Sequence, residues 1–212
     1  MSDWKAPFER GMACGQSSDF AGAEAAFRQA VALAPDEPYP HYELGYTLFL
    51  VGRMNEALEE FQKTDALSCG FFLVQTEAWM CQQFLSGGID AEILEWLRKL
   101  QQYTDTGLAQ SMQTLTLARK VVERAPECAM GHFYLGKAQL ERAPHIARQS
   151  LKRCVELSPD DTTAIDAKFH LGVLARGKGD EEGAAEIWRQ VLLDYPRNPH
   201  CKMVQMLLPG PQ

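Results

Sequence analysis

The sequence predicts an all-α protein built from repeated helix pairs, and three regularities carry that expectation. The stretch "AEAAFRQAVALAP" places Ala23, Phe27, Ala30 and Pro35 at successive intervals of 4, 3 and 5. The same intervals return at Ala57, Phe61, Thr64 and Cys69, at Ala147, Leu151, Cys154 and Pro159, and at Ala184, Trp188, Val191 and Pro196. Small, large and small residues on one helical stripe make a surface into which a neighbouring helix sits closely, and a proline then stops the helix. Upstream of each run lies another helix containing a glycine: Gly11, Gly45, Gly136 and Gly172. Glycine costs about 1 kcal/mol against alanine inside a helix, so its recurrence calls for the close approach of another backbone. Finally, Gly11 to Gly45, Ala23 to Ala57 and Phe27 to Phe61 are each 34 residues, a period typical of repeat architectures.

Taken in order, the first helix holds Gly11 and the second holds Ala23 to Ala30. "PYPHYELGYTLFL" (38–50) and the Ala57 to Thr64 run form the second pair, joined by the polar turn "GRMN". Residues 72–128 break the pattern. Three helices are expected there, at about 72–85, 90–103 and 107–124, with "SGGID" a turn ending in a helix cap at Asp90. An odd number interrupts strict alternation of inner and outer helices. The pairs resume with "YLGKAQL" and "HLGVLAR", the first of them one residue short between Gly136 and Ala147, so that its turn "ERAPH" is tighter. The tail "NPHCKMVQMLLPG" reads as a short helix covering the last pair.

This Leu-Gly, Ala, large, Ala, Pro pattern resembles that of the tetratricopeptide repeat family. Four units match, at about 4–37, 38–71, 129–161 and 165–198. The resemblance implies an all-α, right-handed superhelix of helix-turn-helix repeats, with the first helix of each pair lining a concave face used for protein binding. About 11 or 12 helices are expected, irregular in the middle. The organisation is two repeats in 1–71, an irregular segment in 72–128, two repeats in 129–198 and a cap in 199–212, read as one continuous solenoid domain.

Composition narrows function. Hydrophobic residues make up 46% and charged residues 23%, as in a folded soluble protein. No basic segment followed by an apolar core opens the chain, and no run approaches a membrane span, so the expected location is cytoplasmic. The six cysteines are scattered, with no C-x-x-C, which favours reduced, mostly buried thiols over a disulfide or zinc framework. A net charge of −7 argues against nucleic acid as a partner. The charge is uneven: 7 Lys+Arg against 16 Asp+Glu in residues 1–106, and 14 against 12 in residues 107–212.

Function is expected on the groove side of the first helices. At about 100° per residue, Tyr39, Tyr42, Tyr46 and Phe49 fall within roughly 80° of one another, while Leu44, Leu48 and Val51 lie nearly opposite. On the resemblance, residues three before each glycine point into the groove, and all four are aromatic: Phe8, Tyr42, Phe133 and Phe169. Met12, Tyr46 and Lys137 follow the glycines by one place, and Arg176 lies further along. An aromatic at such a place also serves contact between repeats, so each has a structural reading of equal weight. The candidate partner-binding set is therefore Phe8, Met12, Tyr39, Tyr42, Tyr46, Phe49, Phe133, Lys137, Phe169 and Arg176.

The function expected is that of a non-enzymatic adaptor, without cofactor or metal, holding a protein or peptide segment that is amphipathic or basic rather than acidic. Two alternatives use the same fold: a chaperone for a secreted or assembling client, and self-association of the acidic half with the more basic half through Arg148, Lys152 and Arg153. Cys128 and His132, four apart near a helix start, are the one pair that could serve as nucleophile and base or as half a metal site. They lack a third ligand or orienting carboxylate at a telling spacing, and with His41 they read as packing residues.

Overall fold

A computed structural model describes residues 4–208, which form twelve α-helices and no strand. The chain divides into two compact units, with the boundary between Ser86 and Gly87.

The first unit contains α1 (Lys5–Gln16), α2 (Phe20–Leu33), α3 (Pro38–Leu50), α4 (Met54–Leu67) and α5 (Val74–Leu85). Helices α1 and α2 pack as one pair, α3 and α4 as the next, and α5 lies against α4 without a paired helix within this unit. The second unit contains α6 (Ala91–Asp105), α7 (Met112–Arg124), α8 (Ala129–Ala138), α9 (Pro144–Glu156), α10 (Asp161–Arg176), α11 (Glu181–Asp194) and the short α12 (Cys201–Gln205). Its pairs are α6 with α7, α8 with α9 and α10 with α11, with α12 laid over the last.

The recurring glycines do what their position requires. A Cβ added to Gly11 would come within 2.5 Å of the Phe27 ring, and the corresponding distances are 2.9 Å for Gly45 and Phe61, 2.6 Å for Gly136 and Leu151, and 2.2 Å for Gly172 and Trp188. In each pair the large residue of the outer helix presses on the bare backbone of the inner one. Ala23, Ala30, Ala57, Ala147, Cys154, Ala184 and Val191 flank those large residues and are fully buried. One packing rule thus builds all four pairs.

Helix ends explain where the irregular middle departs from expectation. The 107–124 helix begins only at Met112, because Leu108 N–H donates back to the Tyr103 carbonyl (2.7 Å) at the end of α6, Ser111 N–H closes a turn on the Leu108 carbonyl (2.9 Å), and Ser111 then caps the Thr114 N–H (3.1 Å). Asp90 caps α6 through the Ile93 N–H (2.9 Å), as its turn predicts. Helix α5 starts at Val74 rather than 72, since Phe72 adopts φ 45° in the left-handed region and cannot be its first residue. Helix α8 has 10 residues, against 13 in α3 and 16 in α10, and five residues, 139–143, join it to α9, so the turn there is longer than its counterparts 51–53 and 177–180 rather than tighter. Val51 lies just past the end of α3 and is exposed, so the apolar stripe of that helix ends at Leu48. No described helix is long and apolar enough to cross a membrane.

Candidate functional site

Helix α3 has the two faces that its sequence phase requires. Leu44, Gly45 and Leu48 are buried in the core, whereas Tyr39 and Tyr46 are 44% and 37% exposed on the other side. Tyr42 lies between them, half-buried, with its ring stacked on Tyr46 at 6.3 Å and an interplanar angle of 12°. Its hydroxyl donates to Glu77 Oε1 on α5 at 3.3 Å. Burial, reinforced by the carboxylates of Glu77 and Glu43, pushes that hydroxyl far above the ordinary tyrosine range and keeps it a donor.

Two further aromatics, invisible to helical periodicity, complete the face. Phe71 and Phe72 lie on the turn between α4 and α5, with rings 4.4 Å apart. Phe71 packs edge-on to Tyr39 at 4.8 Å and to Tyr42 at 5.6 Å, and Phe72 reaches Tyr42 at 5.5 Å. Phe72 is 55% exposed. A non-glycine residue at positive φ costs of order 1–3 kcal/mol, so an exposed ring is held there against backbone preference. Their only sequence signal is the doubled phenylalanine after Cys69-Gly70 in a turn. Phe8 joins the margin, 6.5 Å from Tyr39 and 5.7 Å from Phe27, and Met12 is half-buried on the same helix α1. Phe49 does not belong to this surface. It sits at the end of the predicted arc, turns inward against Phe61 at 6.3 Å and is 1% exposed, so it is a core residue.

The face is acidic. Residues 1–86 hold 5 Lys+Arg against 12 Asp+Glu. Arg28, Arg53 and Lys63 are paired with Glu24, Glu56 and Glu60 on α2 and α4. Glu43 sits on α3 beside the tyrosines, its pKa raised by burial, and no cation pairs with it among the described residues.

The candidates in the second unit are occupied by their own structure. Phe133 is 5% exposed, packed on Tyr134 at 5.3 Å, and Lys137 lies 5.1 Å above its ring while pairing with Asp166 at 2.9 Å. Burial opposes the Asp166 charge, but hydrogen bonds from His170 and Lys137 prevail and hold its pKa down at about 2. Phe169 packs on the Trp188 cluster, and its carbonyl accepts from the indole N–H at 3.2 Å. Arg176 stacks 4.3 Å above Trp188, pairs with Glu181 and donates to the Leu207 carbonyl. These groups serve packing, and the exposed aromatic surface is that of α3 and the turn after α4.

The Cys128 and His132 pair is not arranged for chemistry. Burial raises the Cys128 pKa, opposite to the needs of a nucleophile, and His132 Nε2 is hydrogen-bonded to the Pro126 carbonyl at 2.8 Å. No group of three or more side chains suited to holding a metal occurs among the described residues. All six cysteines are free.

Helix pairs locked by glycine against a large residue, repeated four times, define an α-helical repeat protein. Tetratricopeptide repeat profiles match residues 8–68 and 166–198, so these two segments are tetratricopeptide repeats. Among solved structures, it is similar to a thermophilic TPR protein of Thermus thermophilus (20% identity over 96% of this chain and 98% of that one, TM-score 0.41). It is also similar to YrrB, a TPR protein with an unusual peptide-binding site (13% identity, 94% and 90%, TM-score 0.42). A third is the TPR2AB domain of yeast Sti1 in its pHSP90 complex (14% identity, 97% and 84%, TM-score 0.46). No curated protein sequence matches the chain significantly.

Proposed function

We propose that this protein is a non-enzymatic, cytoplasmic interaction module that holds a segment of a partner protein against the aromatic face of α3. The observation that carries this reading is the exposure of Tyr39, Tyr46 and Phe72 around the stacked, half-buried Tyr42 and Phe71. Aromatic rings with polar tips are enriched at the centres of binding interfaces, where one side chain supplies both apolar area and a hydrogen bond. The partner segment is amphipathic and basic, because its apolar side chains must cover these rings and its cations would meet Glu43 in an acidic unit. Fully burying one such ring contributes about 1.5–3 kcal/mol, while association costs some 4–15 kcal/mol. Several rings must therefore act together, and an affinity around micromolar, about −8 kcal/mol, is the expectation.

The test is recovery of partners on immobilised full-length protein, comparing wild type with Tyr39→Ala plus Tyr46→Ala and with Phe72→Gly. The glycine removes a ring while relieving the positive φ, so Phe72→Gly should fold at least as stably as wild type yet bind more weakly. Equal recovery of the same partners by all three proteins would remove the aromatic face from the binding site.

A further inference from the structure

The junction formed by α9, α10 and α11 can be compared place by place with that of α2, α3 and α4, because both are built on the same repeat. In the first unit the junction is closed by side chains. Arg28 on α2 bonds Glu24 at 2.9 Å and Glu56 of α4 at 3.1 Å, and Arg53 bonds Glu24 at 2.7 Å and Glu56 at 2.5 Å. Beneath them Leu48 is fully buried, and His41 pairs with Glu60 at 2.6 Å.

Counting from Ala23 to Ala147 and from Ala57 to Ala184, the second unit replaces nearly every member of that closure. Arg148 stands in the place of Glu24 and Lys152 in that of Arg28. Asp180 and Gly183 stand for Arg53 and Glu56, Ala175 for Leu48, Lys168 for His41 and Ile187 for Glu60. Asp180 is engaged in capping α11 through the Gly183 N–H at 2.9 Å, and a Cβ on Gly183 would meet that carboxylate at 2.3 Å. Lys168 turns toward α11, to Asp194 at 2.6 Å and the Tyr195 ring at 5.0 Å.

A cleft of about 630 Å³ opens as a result. Leu171, Ala175 and Ile187 give it an apolar floor, and Arg148 and Lys152 stand on the α9 wall. Neither of these two cations makes a hydrogen bond or ion pair among the described residues. Of the other carboxylates at the rim, Glu156 pairs with Arg153 at 3.4 Å and Glu186 with Arg189 at 2.9 Å. Gly183 thus leaves Lys152 without the carboxylate that Glu56 offers Arg28, and Asp180, which stands opposite Arg148 as Arg53 stands opposite Glu24, is engaged in the α11 cap, so that both cations remain unpaired among the described residues.

We propose that this cleft is a second docking site, taking an amphipathic, acidic segment of a partner protein. Apolar side chains of that segment cover Leu171, Ala175 and Ile187, and its carboxylates meet Arg148 and Lys152. The two cations are four residues apart on one helix, about 5–6 Å between their Cβ atoms, a separation matched by carboxylates one helical turn apart in the ligand. A groove framed by two helices on the floor of a third suits a helical segment. The site is built from different residues and prefers the opposite charge to the aromatic face of α3.

The experiment uses the full chain and a labelled helical peptide of about 15 residues with leucines on one face and glutamates along its flank, followed by fluorescence anisotropy. A second peptide carries lysine at every glutamate. The expectation is that the glutamate peptide binds at least ten-fold more tightly than the lysine one and weakens with rising salt. Arg148→Glu plus Lys152→Glu should weaken it at least ten-fold. Ala175→Leu, which restores the core residue of the first unit, should do the same by filling the cleft, and thermal melts confirm that both variants fold. Tyr39→Ala plus Tyr46→Ala should bind the glutamate peptide as wild type does. Absence of binding, equal binding of both peptides, or wild-type affinity in the charge-reversed variant overturns the assignment. Self-association of the wild type that disappears in Arg148→Glu plus Lys152→Glu would give the cleft to a second copy and overturn it too.

Discussion

His41 has an oxygen at each ring nitrogen: Nδ1–H donates to Glu60 Oε2 at 2.6 Å in the core and Nε2–H to the Pro35 carbonyl at 2.9 Å at its edge. Two acceptors require two N–H donors, so the imidazole is held in its charged form. The Glu60 hydrogen bond leads in raising the His41 pKa above its ordinary 6.5, against burial and the nearby Lys63 charge. For Glu60, burial acts to raise the pKa, but the bonds from His41 and Lys63 outweigh it and hold the value below 4.5. A raised histidine contributes stability that is fully present below pH 6.5 and is lost as pH rises through its folded pKa. A lowered glutamate contributes stability present above pH 4.5 and lost as pH falls through its own. The pair therefore stabilises the first unit most between about pH 4.5 and the raised His41 value. His41→Ala should cost about 1.5–3 kcal/mol near pH 6, as the loss of a charged hydrogen bond does. It should also flatten the decline in melting temperature expected of the wild type above pH 6.5. An unchanged slope in the variant would assign that decline to another group. His132 repeats the proline contact but has Ser150 where His41 has Glu60, so the shared histidine position in the sequence conceals two different electrostatic situations.

Glycine inside a helix is the clearest case in which one substitution has opposite effects according to what the neighbouring helix presents. At Gly172 a new Cβ would lie 2.2 Å from Trp188 Nε1 and 2.4 Å from Cε2 of an indole that is fully buried and tied to the Phe169 carbonyl. At Gly15, also helical, nothing lies within 4 Å. Gly172→Ala should therefore destabilise the second unit by about 1–3 kcal/mol through overpacking. Gly15→Ala should stabilise the first by about 0.5–1 kcal/mol through helix propensity alone. Urea midpoints of the two variants decide it, and a shift in the same direction for both would show that tertiary contact does not set the cost at Gly172. The same contrast explains what is legible in the sequence. Glycine against a large residue is a rule at fixed spacing, so the four helix pairs can be read from Gly11, Gly45, Gly136 and Gly172. The Tyr39, Tyr42 and Tyr46 face follows from helical phase. Phase misplaces Phe49 because it lies at the edge of the arc, where contact with Phe61 decides its direction. Phase also misses Phe71 and Phe72, because a turn at positive φ has no period. The cleft leaves no mark in the sequence read alone: small residues at 175 and 183 leave space, and a vacancy has meaning only beside Leu48 and Glu56 in the closed copy.

Each of the two units has its own buried centre, and this bears on how the whole chain unfolds. In the first, Phe27, Leu44, Leu48, Phe49, Phe61 and Met80 are almost fully buried, and in the second Leu97, Leu100, Met130, Leu151, Ile165 and Trp188 are. One end of each repeat stack is covered from within. Val74, Met80 and Cys81 of α5 are buried in the unit where α5 packs on α4, and Cys201 and Val204 of α12 join the Trp188 cluster. A repeat stack is stabilised by contacts between neighbours and needs such covering at its ends. Segments of about 85 and 125 residues also lie within the size range of chains that fold alone. Residues 1–86 and 87–212, produced separately, should therefore each give a helical circular dichroism spectrum and a cooperative melt. Charge distinguishes the two: 5 Lys+Arg against 12 Asp+Glu in the first segment, and 16 against 16 in the second. Added salt should thus raise the melting temperature of 1–86, by screening repulsion among its excess carboxylates, more than that of 87–212. The His41 and Glu60 pair gives a second signature, since only 1–86 should carry the component of pH dependence that His41→Ala removes. A segment that is helical but melts without cooperativity would mean that its buried centre is insufficient alone, and that the chain folds as one body despite its two cores.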